Sequence, residues 1–245
     1  MNGRFGVRRG AAAILVVAAL LPASGVCRAD GPWSGSLAAT TDYVFRGVSQ
    51  TYGGGALQGG LNYQNPAGWF AGSWASNVDP YPFGSDSAEV NVYAGYGWAL
   101  ASDWTARASY TRYLYAWDSR HKPYDYGEVA ATVGFRDLLA LTVSYQPDST
   151  RASTLGYVRN KPSSAYELTG QWPLPRGFAL VGGGGYYDLT HLYGVGYWSA
   201  NAGVRYVRGR FSLDVARYFG DAVVRRLFAD ASADGRWVAT VVCRF

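Results

Sequence analysis

From Trp33 to Phe245 the chain runs as about twelve short segments in which apolar and polar residues take turns, joined by links that are alternately tight and long. A period of two puts neighbouring side chains on opposite faces of an extended strand, so each segment has one greasy and one wet face. The segments cover 33–46, 55–64, 69–78, 87–98, 104–115, 125–135, 139–146, 164–172, 178–187, 197–207, 210–219 and 236–245. After the even-numbered segments the links are tight: 65–68, 99–103, 136–138, 173–177 and 208–209. After the odd-numbered ones they are mostly longer and more polar, at 79–86, 116–124, 147–163, 188–196 and 220–235, with a Gly-rich link of middling length at 47–54. Short turns on one side and long loops on the other belong to barrels of the bacterial outer membrane. The pattern predicts an all-β fold, a transmembrane antiparallel up-and-down β-barrel of about 12 strands with both termini on the periplasmic side.

The two faces differ in chemistry. At the tight-turn ends the outward face gathers Trp33, Trp98, Trp104, Trp172 and Phe245, with Tyr63, Phe70, Phe135, Phe178, Tyr206 and Phe211. An aromatic girdle at that level lies where lipid headgroups begin. Mid-strand the same face is plain, as in Leu57 and Leu61, Val129 and Val133, or Leu141 and Val143. The inward face carries Asp42, Arg46, Gln58, Asn62, Asn77, Glu89, Asn91, Arg107, Glu128, Thr142, Glu167, Gln171, Asn201, Arg205, Asp214 and Arg244. A basic side chain facing the bilayer midplane costs about 2–4 kcal/mol, so such residues belong in a hydrated lumen, where they are the candidate pore lining. Mixed signs there admit two readings: a transverse field across a narrow eyelet, or salt-bridged pairs that fill the interior. Asp42 and Arg46 stand four residues apart on one inward face near the outer mouth. They read either as an ion pair fixing the first loop or as a gating or selectivity element. Arg112 and Arg217 break the rule by landing outward near the long-loop ends. Either they reach up to lipopolysaccharide phosphates, or a bulge turns them inward.

The N-terminus reads as a cleavable export signal over 1–29, leaving a single barrel domain over 30–245. Arg4, Arg8 and Arg9 precede an apolar run from Ala11 to Leu21, and Cys27-Arg28-Ala29 offers small residues for cleavage before Asp30. That run is too short to cross a bilayer as a helix, which takes roughly 20 residues. Of the formal charge of +5, four positive charges sit on Arg4, Arg8, Arg9 and Arg28, leaving +1 for the rest. The basic balance is therefore largely a feature of the leader and gives no support for a nucleic-acid partner. Once the leader is gone, Cys243 has no cysteine to pair with. The 32 glycines, 20 tyrosines and 9 tryptophans with only 16% charged residues suit strands that are greasy on one side only.

The closing segment is apolar on Trp237, Ala239, Val241, Cys243 and Phe245 and carries Arg236 and Arg244 on its other face. It resembles the last strand of outer-membrane barrels, in which a terminal Phe is part of the signal that the barrel assembly machinery reads. A broader resemblance rests on Thr40-Thr-Asp-Tyr-Val-Phe-Arg-Gly-Val-Ser-Gln-Thr51, Leu57-Gln-Gly-Gly-Leu-Asn-Tyr63 and Gly68-Trp-Phe-Ala-Gly-Ser-Trp-Ala-Ser-Asn-Val-Asp79. These segments resemble the TorF family of proteobacterial porins, densely over 37–98 and more loosely to the C-terminus, with Asn62 where the family has Asp. The resemblance implies an outer-membrane β-barrel with a pore and names no substrate; the charged inward face reads as the lining of a channel for passive diffusion of small hydrophilic solutes. Outer-membrane lipids and lipopolysaccharide would surround it. It implies no catalytic residues and no cofactor.

Other functions have thinner support. A barrel hydrolase needs a nucleophile and base at the outer rim. The two histidines, His121 and His191, fall in long links beside Asp118, Ser119 and Asp188, where solvated surface is the simpler reading. No Cys/His cluster suggests a metal. Gly182 to Gly185 precedes no helix and no Lys-Ser/Thr, so it is not a phosphate loop but a place where a strand bends or is closely approached. A filled structural barrel that displays its loops remains the main alternative, with Arg151, Arg159, Lys161, Arg225 and Arg226 as loop charges for an anionic partner.

Overall fold

The structure, a computed structural model, describes residues 31–79, 87–116, 124–153, 156–228 and 231–245. The expected leader, and Asp118, Ser119 and His121, lie outside the described residues. In chain order, β1 (Trp33–Thr40) leads to a miniature hairpin, β2 (Val44–Phe45) and β3 (Val48–Ser49). There follow β4 (Ala56–Gln64), β5 (Trp69–Val78), β6 (Ser87–Ala99), β7 (Trp104–Ala116), β8 (Tyr126–Phe135), β9 (Leu139–Ser153) and β10 (Gly156–Pro173). The chain ends with β11 (Phe178–Asp188), helix α1 (Thr190–Tyr193), β12 (Tyr197–Arg208), β13 (Phe211–Gly220), helix α2 (Ala222–Leu227) and β14 (Trp237–Arg244). All strands but β2 and β3 close into one antiparallel barrel of twelve. Its seam pairs β1 with β14, from Ser36 opposite Arg244 to Thr40 opposite Thr240. Gly35 and Phe245 exchange backbone bonds of 2.7 and 3.0 Å at its foot. Closure pairs each strand on both sides, which is what a sheet surrounded by hydrocarbon requires.

Tight turns and both ends of the barrel chain share one rim. There the outward aromatics couple across strands: Trp33 with Tyr63, Trp69 with Tyr96, Trp104 with Phe135 and Phe178 with Tyr206, at centroid distances of 5.1, 5.0, 4.8 and 4.8 Å. Trp98, Trp172 and Phe245 are exposed at the same level. A second outward belt of Tyr145, Tyr166, Trp198, Phe219 and Trp237 lies toward the other rim and is not singled out by the sequence reading.

Four details differ from the sequence expectations. Strand β1 stops at Thr40 rather than at 46, because Thr41 turns away to accept the Ala239 amide through its hydroxyl at 3.0 Å. The expected loop at 147–163 is largely a continuation of β9 and β10, which pair beyond the rim through register shifts at Val158, Lys161 and Ser163. Within β5 the outward aromatic is Trp69, while Phe70 is buried in the interior opposite Gly95, whose missing side chain makes room for the ring. In the same strand Asn77 faces outward, accepting the Leu57 amide at 2.7 Å and donating to the Gly55 carbonyl at 3.2 Å.

Candidate functional site

The lumen is divided into two levels. Toward the tight-turn rim its lining residues are half-exposed, namely Asn62, Arg107, Thr142, Gln171, Arg205, Asp214 and Arg244, and Gln58 and Asn201 are half-exposed higher on their strands. Toward the long-loop rim Glu89, Asn91, Glu128, Glu167, Tyr113, Tyr126 and Tyr197 are buried, six of them at 0–6% exposure. An open pore would wet both levels. What dries the outer one is residues 41–55, folded down into the barrel.

Local chemistry explains this fold-back. Val44 pairs with Ser49 and Phe45 with Val48, so Arg46-Gly47 is a two-residue hairpin turn. Both residues have positive φ, 46° and 75°, as a type I′ turn demands. Glycine takes that backbone freely, whereas an arginine there carries strain of order 1–3 kcal/mol, a form of tension that clusters at functional sites. An added Cβ at Gly47 would collide with Ser199 on the barrel wall, so the turn is pressed close against β12. Apolar burial holds its flanks: Tyr43, Phe45 and Val48 pack with Tyr113, Tyr187, Tyr197, Leu192 and Phe228 in one cluster inside the barrel mouth.

Arg46 is the tip. Its Nη2 donates to Glu128 Oε2 at 3.0 Å, Glu167 Oε2 at 3.1 Å and Ser144 Oγ at 2.9 Å, while Nε reaches Glu167 Oε2 at 3.3 Å. The carboxylates are braced in turn: Tyr113 donates to Glu128 at 3.3 Å and Tyr187 to Glu167 at 3.1 Å, and the Gln146 amide also donates to Glu128. Tyr197 donates to the Arg46 carbonyl at 2.9 Å. Gly185 supplies the space, since a Cβ there would come within 3.0 Å of both the Glu167 side chain and the Tyr187 hydroxyl. One group is left over: Arg46 Nη1 is buried without a hydrogen bond. An unsatisfied buried donor costs about 1–3 kcal/mol, which offsets part of the anchor's strength.

Asp42 and Arg46 do not pair with each other. Asp42 binds Arg236 at 3.1 Å and accepts the Ser49 and Thr51 hydroxyls at 2.5 and 3.1 Å, tying the base of the inserted loop. From above, the segment after α2 clamps the loop through Ala233 N–H to the Gly47 carbonyl at 2.9 Å and Ser49 N–H to the Ala231 carbonyl at 2.6 Å. Glu89 lies at the same depth, accepting from Asn91 at 2.6 Å and from Tyr43 and Tyr115 at 3.4 Å each. The outer lumen is thus a salt-bridged and aromatic core, with ion pairs whose partners stand 82 and 121 residues apart in sequence.

The inner level is chemically different. Arg205 pairs with Asp214 at 2.5 Å and reaches Gln171 at 3.3 Å, Arg244 donates to Ser212 at 3.1 Å, and Arg107 lies over the Phe70 ring at 4.1 Å. On the outer wall Arg112 does face outward, and it binds Asp148 at 2.8 Å rather than standing alone. Arg217 faces outward as well, above Phe219 and Trp237 at 5.7 and 5.9 Å. Asp188, at the end of β11, accepts the Thr190 amide and hydroxyl at 2.9 and 2.5 Å, so its carboxylate orders the start of α1 beside His191. Among the described residues no group of His, Cys, Asp and Glu is disposed to hold a metal ion.

A closed barrel with a greasy outside, aromatic belts and a partly exposed, charged lumen is the architecture of outer-membrane β-barrels. Residues 27–242 match the family model described as "Bacterial protein of unknown function (Gcw_chp)", and the chain belongs to that family. No curated protein matches it. Among solved structures it is similar to the NanC porin, with TM-score 0.57 and 11% identity over 86% of this chain and 98% of that one. The KdgM porin gives TM-score 0.53 and 11% identity over 86% and 99%. A second KdgM structure, in complex with disordered oligogalacturonate, gives 0.50 and 9% over 87% and 99%. At such identities the likeness is one of fold.

Proposed function

We propose that this chain is a narrow outer-membrane porin whose passage is stoppered at the outer side by its own first loop. Small hydrophilic solutes diffuse through it when residues 41–55 leave the lumen. The supporting observation is that the obstruction is one chain segment hung on Arg46, not the barrel wall. The polar lining beneath it is already half-exposed. An unsatisfied Arg46 nitrogen and a left-handed Arg46 backbone keep the closed state from being overwhelmingly favoured. The Thr40–Thr51 segment, part of what carries the TorF resemblance, covers most of the stopper, which fits a porin family built around this loop. We read residues 1–29 as the leader that sends the chain to the outer membrane. Phe245 is the mark for the barrel assembly machinery, and Arg217 is a contact for lipopolysaccharide phosphate. No catalytic role is assigned to the histidines.

The filled outer lumen also favours a second reading, a structural barrel that displays its loops. Planar-bilayer recording separates them. The full mature chain should give rare, discrete conductance steps, and replacement of 43–52 by a short Gly-Ser link should make them frequent. A correctly inserted barrel that stays silent after the loop is removed overturns the porin reading.

A further inference from the structure

The inner level of the lumen holds three guanidiniums and one carboxylate. Arg107 stands on β7, Arg205 on β12 and Arg244 on β14, and among the described residues Asp214 is the only acid on their level of the inward face. In the closed ring β13 lies between β12 and β14, and counting from β13 to β7 takes six strands in either direction. Arg205 and Arg244 therefore flank one strand, and Arg107 faces them from the diametrically opposite wall. Their heights agree within about one residue step for two of them, since Arg107 is three residues above the start of β7 and Arg205 three residues before the end of β12.

Like charges collected in a space with low-dielectric walls raise the local potential and concentrate ions of opposite sign. Here the excess is not spent internally. Asp214 engages Arg205, Arg244 has only the Ser212 hydroxyl, and Arg107 has only an aromatic face, with no carboxylate within ion-pair distance of either among the described residues. All three remain half-exposed, so their unused N–H groups meet solvent inside the lumen rather than lipid. The outer level is the reverse: there the single Arg46 guanidinium faces two carboxylates, Glu128 and Glu167.

We propose that this inner chamber is a binding site for small multivalent anions carrying carboxylate or phosphate groups, held between Arg107 on one wall and Arg205 with Arg244 on the other. The site deepens the porin reading by naming a solute class, yet binding needs no conduction. The test is calorimetric titration of the detergent-folded full mature chain at constant ionic strength, with citrate as the carboxylate probe and inorganic phosphate as the other. Citrate, phosphate or both should bind the wild-type chain, and whichever binds assigns the preferred group. Affinity should fall about tenfold for each guanidinium removed in Arg107→Gln and Arg244→Gln. Asp214→Asn should tighten binding by a similar factor, a gain that a misfolded barrel does not give. Failure of both anions to bind, or unchanged affinity across the three variants, overturns the site. A chain that binds anions but never conducts sinks only the porin reading, and one that conducts without binding them sinks only the site.

Discussion

Removing the Arg46 side chain should open the barrel. In Arg46→Ala both Glu128 and Glu167 stay where they are, buried to 6 and 8% exposure and stripped of their cation. Breaking a buried pair from one side costs about 3–5 kcal/mol. Part is returned, because the unsatisfied Nη1 disappears with the side chain, worth about 1 kcal/mol. Nothing is regained from the backbone, since alanine at φ 46° is as strained as arginine. The net change of roughly 2–4 kcal/mol lowers the closed-to-open ratio about 30- to 1,000-fold. The assay is the fraction of time single barrels conduct in a planar bilayer, with folding checked by heat-modified gel mobility. A triple variant, Arg46→Met with Glu128→Gln and Glu167→Gln, removes charge from both sides and should close the barrel again, because uncharged, well-packed replacements of a buried ion triad are commonly neutral. If folded Arg46→Ala conducts no more often than the wild-type chain, the anchor does not hold the stopper.

Further expectations concern the wall and the outer clasp. Leu141 faces outward at 52% exposure while its neighbour Thr142 points inward to Thr132 at 2.9 Å. Leu141→Arg should therefore destabilise the barrel by about 2–4 kcal/mol in lipid, and Thr142→Arg by far less. Equal urea midpoints for the two would contradict the face assignment. Asp234, in the segment that clamps the stopper, accepts the Gly220 amide at 2.8 Å and the Arg225 guanidinium at 2.7 Å. These contacts hold its carboxyl below the usual range. A depressed value means the clasp is complete above the ordinary carboxylate pKa of about 3.9 and is lost as pH falls through the folded one. Hydrogen exchange at the Gly220 amide should therefore quicken, beyond its intrinsic pH dependence, only below about pH 4. Loosening already at pH 6 would mean that another group controls this segment.

How much of this was open to inspection in the residues follows from periodicity. Alternation and link length define the barrel because a strand in lipid must sort its side chains every second residue, and the twelve observed strands fall on the expected segments. The face assignment fails in β5, where Trp69 and Phe70 are adjacent aromatics and either could meet lipid. Only the glycine opposite, Gly95, decides it. The stopper is harder to see. Type I′ turns favour Asn-Gly or Asp-Gly, so Arg46-Gly47 hides inside what reads as a longer first strand. Its partners Glu128 and Glu167 come within reach only through barrel closure, which no local pattern encodes. Asp42 and Arg46, four residues apart on one face, suit a local ion pair, but each binds a more distant partner because burial leaves no water to screen an unmatched carboxylate.

The stopper requires a lumen that is dry at its outer level and wet at its inner one. Single cysteines placed in a chain whose own Cys243 is replaced by Ser, reconstituted in liposomes, can be titrated with a membrane-impermeant thiol reagent offered from the tight-turn side. Asn201→Cys, which is half-exposed, should react readily, and Ser144→Cys, at 2% exposure beside Arg46, should be protected until Arg46 is also changed to Ala. Equal labelling of both positions with Arg46 intact would mean the barrel is open from end to end and the stopper does not exist.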